Sequence, residues 1–204
     1  MKQINIIRGC TAPYPGNNVD TDEIIPARFL YRFRKDGFAE TLFHDLRLDE
    51  DGSERPDFIL NQPNYRDPAI LVAGRNFGCG SSREHAVWAL QDRGISCVIA
   101  ASFGDIFKNN SYENGLLAIE LAEADLSKLR EAIEKSATCE MTVDLPHQTI
   151  TGPGNLSVSF EIDPGVKAAL IDGHSGIDTT LTRLAEIETF VAAYRTETEW
   201  AFRR

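Results

Sequence analysis

Residues 78–85, Gly78-Cys79-Gly80-Ser81-Ser82-Arg83-Glu84-His85, place a thiol, two hydroxyls, a guanidinium, a carboxylate and an imidazole in one short stretch. Ser81 and Glu84 fit a capping box, with Ser81 as N-cap and Glu84 reaching back to it. On that reading the stretch is a helix start and nothing else. Yet Gly74, Gly78 and Gly80 are more glycine than a cap requires, and glycine lets bare backbone N–H groups meet a ligand. A helix N-terminus carries roughly half a positive charge. Arg83 in the first turn adds a guanidinium that can hold a carboxylate through two parallel hydrogen bonds. No Gly-Lys-Ser/Thr follows, so the loop is not a nucleotide P-loop. The form G-x-G-x-x-R puts Arg83 where a dinucleotide fingerprint needs its third glycine, leaving a carboxylate as the better ligand.

Several groups here can move a proton or attack. Cys79, close to a helix N-terminus, is a candidate for a lowered thiol pKa. Ser81 or Ser82, beside Arg83 and the helix N–H groups, can be held as an alkoxide base, although free serine is a very poor one. His85 lies inside the helix and equally suits packing or a subunit contact.

These residues need elements to position them. Residues 4–8 read as a first strand and residues 11–18, with Pro13, Pro15 and Gly16, as a loop. Asp20-Thr21-Asp22 suits a capped turn. Residues 29–68 show no clean period, and short helices plus a loop bearing Arg28, Arg32, Arg34 and Lys35 are expected there. From residue 69 the pattern sharpens. Residues 69–73, 97–101 and 116–121 are apolar runs suited to buried parallel strands. Residues 82–93 and 125–137 are helical, the latter with Asp125 as N-cap and Leu126, Leu129 and Ile133 on one face. Residues 140–145, 148–151 and 156–162 alternate as antiparallel hairpins. Residues 164–172 and 177–194 are helical, with Pro164 in the first turn. This is an α/β fold: a mixed sheet with flanking helices and a helical C-terminal extension.

The net charge of −10 argues against nucleic acid and anionic membranes as partners. No apolar run approaches the ~20 residues of a membrane span, and the start lacks a secretory h-region, so a cytoplasmic location is the default expectation. Cys10, Cys79, Cys97 and Cys139 are scattered without a C-x-x-C pair, so no self-contained metal site is expected. Free thiols in a reducing compartment fit better than a disulfide scaffold.

Four stretches carry a resemblance: residues 18–26 (NVDTDEIIP), 76–86 (NFGCGSSREHA), 103–107 (FGDIF) and 114–117 (NGLL). With them the chain resembles, over nearly its whole length, the bacterial 3-isopropylmalate dehydratase (isopropylmalate isomerase) small-subunit family of the aconitase superfamily. The resemblance implies a single swivelling β/β/α domain over residues 1–204, with a core of about residues 1–165 and a helical extension over 166–204. It implies that Ser81 is the catalytic base and that Ser82 and Arg83 bind substrate carboxylate. Asp22 and Thr21 would bind substrate as well, as would Arg28 and Arg32, which lie in the segment 28–35 that would shape substrate choice. The arginine that grips the distal carboxylate falls among Arg28, Arg32 and Arg34. A four-iron, four-sulfur cluster is expected in a partner large subunit, acting as Lewis acid, with no metal ligand in this chain. The substrate would be a small dicarboxylate of the isopropylmalate type, dehydrated and rehydrated in leucine biosynthesis. Residues 173–178 (GHSGID) depart from the family's usual Asp-Asp-Ile-Gly form, which bears on tail packing or the large-subunit contact. Alternatives are a sister hydro-lyase for citramalate, homocitrate-type or dimethylmalate substrates, and a non-catalytic carboxylate-binding module.

Overall fold

The computed structural model describes residues 1–136 and 138–202, without the side chain of Glu199. Seven strands form one sheet: β1 (Ile6–Tyr14), β2 (Ile70–Ala73), β3 (Cys97–Ala100), β4 (Leu117–Glu120), β5 (Glu140–Asp144), β6 (Thr149–Gly152) and β7 (Leu156–Ser159), in the order β4-β3-β2-β1-β5-β6-β7. The first four are mutually parallel and β1-β5-β6-β7 are antiparallel. Strand β1 joins the halves. Its first part, residues 6–10, pairs with β5, and its second part, residues 11–14, pairs with β2. The first strand therefore runs through the expected loop as far as Tyr14. Pro13 is tolerated because β5 has already left that edge, so its missing N–H breaks no ladder on that side.

Alternation in the parallel strands sorts the core. Leu71, Ala73, Val98 and Ala100 face one cluster, while Ile70, Val72, Cys97 and Ile99 face the other. Helices α3 (Glu84–Asp92) and α4 (Asp105–Asn114) cover the first face together with residues 19–60. Helix α5 (Glu123–Glu134) covers the second with Leu126, Leu129 and Ile133, and Leu170 of α6 (Pro164–Asp172) joins it. The start of α5 differs from expectation. Ala122 is its N-cap, without a side-chain bond, and Asp125 sits in the first turn, where a carboxylate still favours the helix dipole. Ala137, the expected last residue of this helix, lies outside the described residues, as do Arg203 and Arg204 at the end of the expected extension.

Residues 29–68 fold as short turns of helix, among them α2 (His44–Arg47), after α1 (Thr21–Ile24). Buried Asn61 ties this segment together by donating to the carbonyls of Arg47 (2.7 Å) and Arg55 (2.8 Å). The C-terminal helical run breaks at Thr182 and Arg183 into α7 (Gly176–Leu181) and α8 (Leu184–Glu197), with Ile177, Leu181 and Phe190 exposed. Among the described residues, no helix is long and apolar enough to cross a membrane.

The expectation of free thiols fails at one pair. Cys10 and Cys139 are joined as a disulfide, their Cα atoms 4.8 Å apart across a sequence separation of 129. The β1–β5 ladder, which pairs Cys10 with Glu140, brings them together, and no local spacing announces that. Cys79 and Cys97 are free.

Candidate active site

The motif loop leaves the C-terminal end of β2, the edge at which open α/β sheets hold ligands. A second segment, leaving the neighbouring C-terminal end of β1, zips along it. Asn18 N–H donates to the Arg75 carbonyl (2.8 Å), Gly78 N–H to the Val19 carbonyl (2.8 Å), and Thr21 N–H to the Cys79 carbonyl (2.9 Å). The Asn76 side chain donates to that of Asn18 at 3.0 Å. Asp20 caps α1 with its carboxylate, accepting from the N–H groups of Asp22 (2.7 Å) and Glu23 (2.9 Å), as the capped-turn reading required.

Two glycines make this zipper possible. Gly78 adopts φ +72° with its Cα against the ring of Phe107, and Gly80 adopts φ +90°. A β-carbon at Gly78 would overlap that buried ring, so its role is close packing rather than ligand access. Gly78→Ala is expected to cost about 2–4 kcal/mol, from overpacking plus the left-handed backbone. Chemical denaturation of the isolated chain measures this, and a loss below about 1 kcal/mol contradicts it.

The expected capping box at 81–84 does not form. Helix α3 starts at Glu84 with Arg83 as N-cap and no side-chain cap bond. The Glu84 carboxylate instead accepts from Asn114 of α4 at 2.7 Å. Ser81 is kept out of the helix because Thr21, buried beneath it, takes its backbone. The Ser81 N–H donates to Thr21 Oγ1 (3.2 Å), and Thr21 Oγ1 donates to the Ser81 carbonyl (3.1 Å). The same carbonyl accepts from the Arg83 N–H at 2.9 Å. Ser81 and Ser82 are both exposed, and neither hydroxyl has a hydrogen-bond partner among the described residues. Arg83 pairs with Asp22 through one guanidinium nitrogen, Nη1. The structure thus gathers Thr21, Asp22, Ser81, Ser82 and Arg83 at one place.

Cys79 does not carry the activated thiol considered from sequence. Burial first, and the nearby Asp20 carboxylate second, push its pKa up. His85 packs edge-on against Phe38 (5.5 Å between centroids) and against Trp88 (4.7 Å). Burial pushes its pKa down, which favours the neutral imidazole in this packed position.

The basic segment divides. Arg28 is held by Asp45, whose carboxylate is brought down to about 2, chiefly by that hydrogen bond. Arg34 donates to both Asp92 oxygens at 2.7 Å, which anchors the segment to the end of α3. Arg32 lies over the Phe29 ring at 5.3 Å and has no carboxylate partner among the described residues. The pairings of Arg28 and Arg34 could not be foreseen, because Asp45 and Asp92 reach them only through the turns of residues 29–68.

Among the described residues no group of three His, Cys, Asp or Glu side chains is arranged to hold a metal ion. Cys79 is the one cysteine at the motif, Cys97 is sealed in the core, and Cys10 and Cys139 bind each other. These residues do not fit as ligands of an iron–sulfur cluster.

A mixed sheet with a serine–arginine turn at the parallel strand ends is the build of an aconitase-type swivel domain. The model of the aconitase C-terminal domain matches residues 1–124, and one described as LeuD_N matches residues 127–164. The chain is 50% identical over 201 residues to the 3-isopropylmalate dehydratase small subunit of Rhodopseudomonas palustris BisA53, covering 98% of this chain and 100% of that one. It is 51% identical over 190 residues to the protein of that name from Methylobacterium radiotolerans, covering 93% and 95%. The crystal structure of a 3-isopropylmalate dehydratase from Methanocaldococcus jannaschii superposes with a TM-score of 0.65 at 27% identity, covering 90% of this chain and 98% of that one. The chain belongs to the family of 3-isopropylmalate dehydratase small subunits.

Proposed function

We propose that this chain supplies the proton-transfer and carboxylate-binding half of a hydro-lyase that interconverts 2-isopropylmalate and 3-isopropylmalate in leucine biosynthesis. The observation that carries the proposal is the Ser81 hydroxyl, unengaged among the described residues, next to an arginine already oriented by Asp22. In this reading Ser81 Oγ takes the substrate proton and returns it on rehydration. Asp22 occupies Nη1 of Arg83, leaving the rest of the guanidinium for one substrate carboxylate, with Ser82 beside it. The uncapped N–H groups at the start of α3 add positive potential there. Arg32, the loop arginine that no carboxylate engages among the described residues, is the candidate for the distal carboxylate. Arg28, engaged by Asp45, shapes the loop instead. The iron–sulfur cluster, which would polarise the leaving hydroxyl, belongs in this reading to a large subunit that closes over the motif.

Reconstitution tests the proposal. The isolated chain should give no turnover, whereas mixing it with a cluster-loaded large subunit should interconvert the two isopropylmalates. Preference of the complex for citramalate or dimethylmalate would refute the substrate assignment.

A further inference from the structure

We propose that Thr21 is a positioning residue for Ser81, acting through its hydroxyl rather than touching substrate; this rests on Ser81 being the base. Thr21 is only 1% exposed, so its side chain is turned away from the solvent that Ser81 faces. Its single hydroxyl serves both backbone polar groups of Ser81, accepting from the N–H at 3.2 Å and donating to the carbonyl at 3.1 Å. Its own N–H donates to the Cys79 carbonyl at 2.9 Å, so the contact is anchored two residues upstream as well. Both peptide planes flanking Ser81 are thereby fixed, and with them the direction of its Cα–Cβ bond. Gly80, at φ +90°, leaves the loop without stiffness of its own on the upstream side. Thr21 and Asp22 are adjacent on α1: one clamps the backbone of Ser81 and the other the guanidinium of Arg83. One turn of helix thus holds base and carboxylate anchor in fixed relation. An error of about 1 Å in placing a reacting group can cost on the order of 10²-fold in rate, which is the effect such a clamp prevents.

The test compares Thr21→Val, which keeps the shape without the hydroxyl, with Thr21→Ser, which keeps the hydroxyl, and with Ser81→Ala. All three are assayed as the complex with the large subunit. Thr21→Val should lower kcat by about 10–100-fold with KM within about twofold, and Thr21→Ser should restore kcat. Hydrogen exchange of the isolated chain gives a readout independent of turnover. The Ser81 amide should exchange at least about tenfold faster in Thr21→Val and at the unsubstituted rate in Thr21→Ser. A raised KM with unchanged kcat would overturn the proposal in favour of substrate contact by Thr21. Equal losses in both Thr21 variants would overturn it in favour of simple packing. An inactive Ser81→Ala with a fully active Thr21→Val would sink the Thr21 proposal alone. An active Ser81→Ala would instead remove the base assignment on which it rests.

Discussion

Replacing Ser81 by alanine should reduce kcat of the reconstituted complex by about 10³-fold or more, toward the upper range for loss of a positioned acid–base group. The fold should not notice. Ser81 is exposed, its hydroxyl has no partner among the described residues, and the bonds that hold the loop run through its backbone. The melting temperature and the binding of the large subunit are therefore expected to stay as they are, which separates a chemical loss from a folding one. Because Ser81 Oγ is not an N-cap, alanine removes no capping bond from α3. A cap serine would have cost about 1 kcal/mol on substitution, so an unchanged stability also checks the observed helix start. Activity within tenfold of the unsubstituted complex would rule out Ser81 as the base.

The second large effect is expected at Arg83. The Asp22 carboxylate takes Nη1, and in the proposed function the remaining N–H groups of the guanidinium hold a substrate carboxylate. A planar fork can serve two carboxylates at once in fixed directions, whereas an ammonium is a single compact charge. Arg83→Lys should therefore lose about 10²-fold in kcat/KM, equivalent to about 3 kcal/mol. The loss should fall largely on KM if the carboxylate is held equally in ground and transition states. Steady-state kinetics against both isopropylmalates measure it, and a lysine variant within threefold of the original would show that Arg83 is not a two-carboxylate anchor. The Asp22–Arg83 pair itself contributes little to stability. Asp22 is half exposed, and such surface pairs are worth about 0–1 kcal/mol.

The parallel half of the fold was legible because its strands are buried on both faces. Ile70-Leu71-Val72-Ala73 and Cys97-Val98-Ile99-Ala100 read as continuous apolar runs for that reason. The antiparallel half was legible through the alternation of residues 140–145, 148–151 and 156–162. What misled was local pattern at places where a distant group intervenes. Ser81 and Glu84 have the spacing of a capping box, but Thr21 holds the Ser81 backbone and Asn114 holds the Glu84 carboxylate. Asp125 has the type of an N-cap, yet the chain enters helix three residues earlier. Pro13 has the look of a loop residue, yet it lies where only one neighbouring strand remains.

The glycine–serine–arginine turn shows where the two sources of information divide. Sequence alone determined that a glycine-rich turn precedes a helix, and which residue types it carries, because glycine freedom, helix dipole and guanidinium charge are local properties. The resemblance added the roles of Ser81, Ser82 and Arg83. Only the tertiary structure decided that, among the described residues, the Ser81 hydroxyl is free and Arg32 meets no carboxylate, that Thr21 faces inward, that Asp22 meets Arg83, and that Arg28 is engaged. The contacts of Thr21 and Asp22 with the motif are made across the sheet topology, with 60 residues separating Thr21 from Ser81, whereas Arg28 meets Asp45 within the segment between β1 and β2. A one-dimensional pattern carries no record of which distant group will occupy a donor or acceptor. That assignment is made when the C-terminal ends of β1 and β2 come to lie side by side.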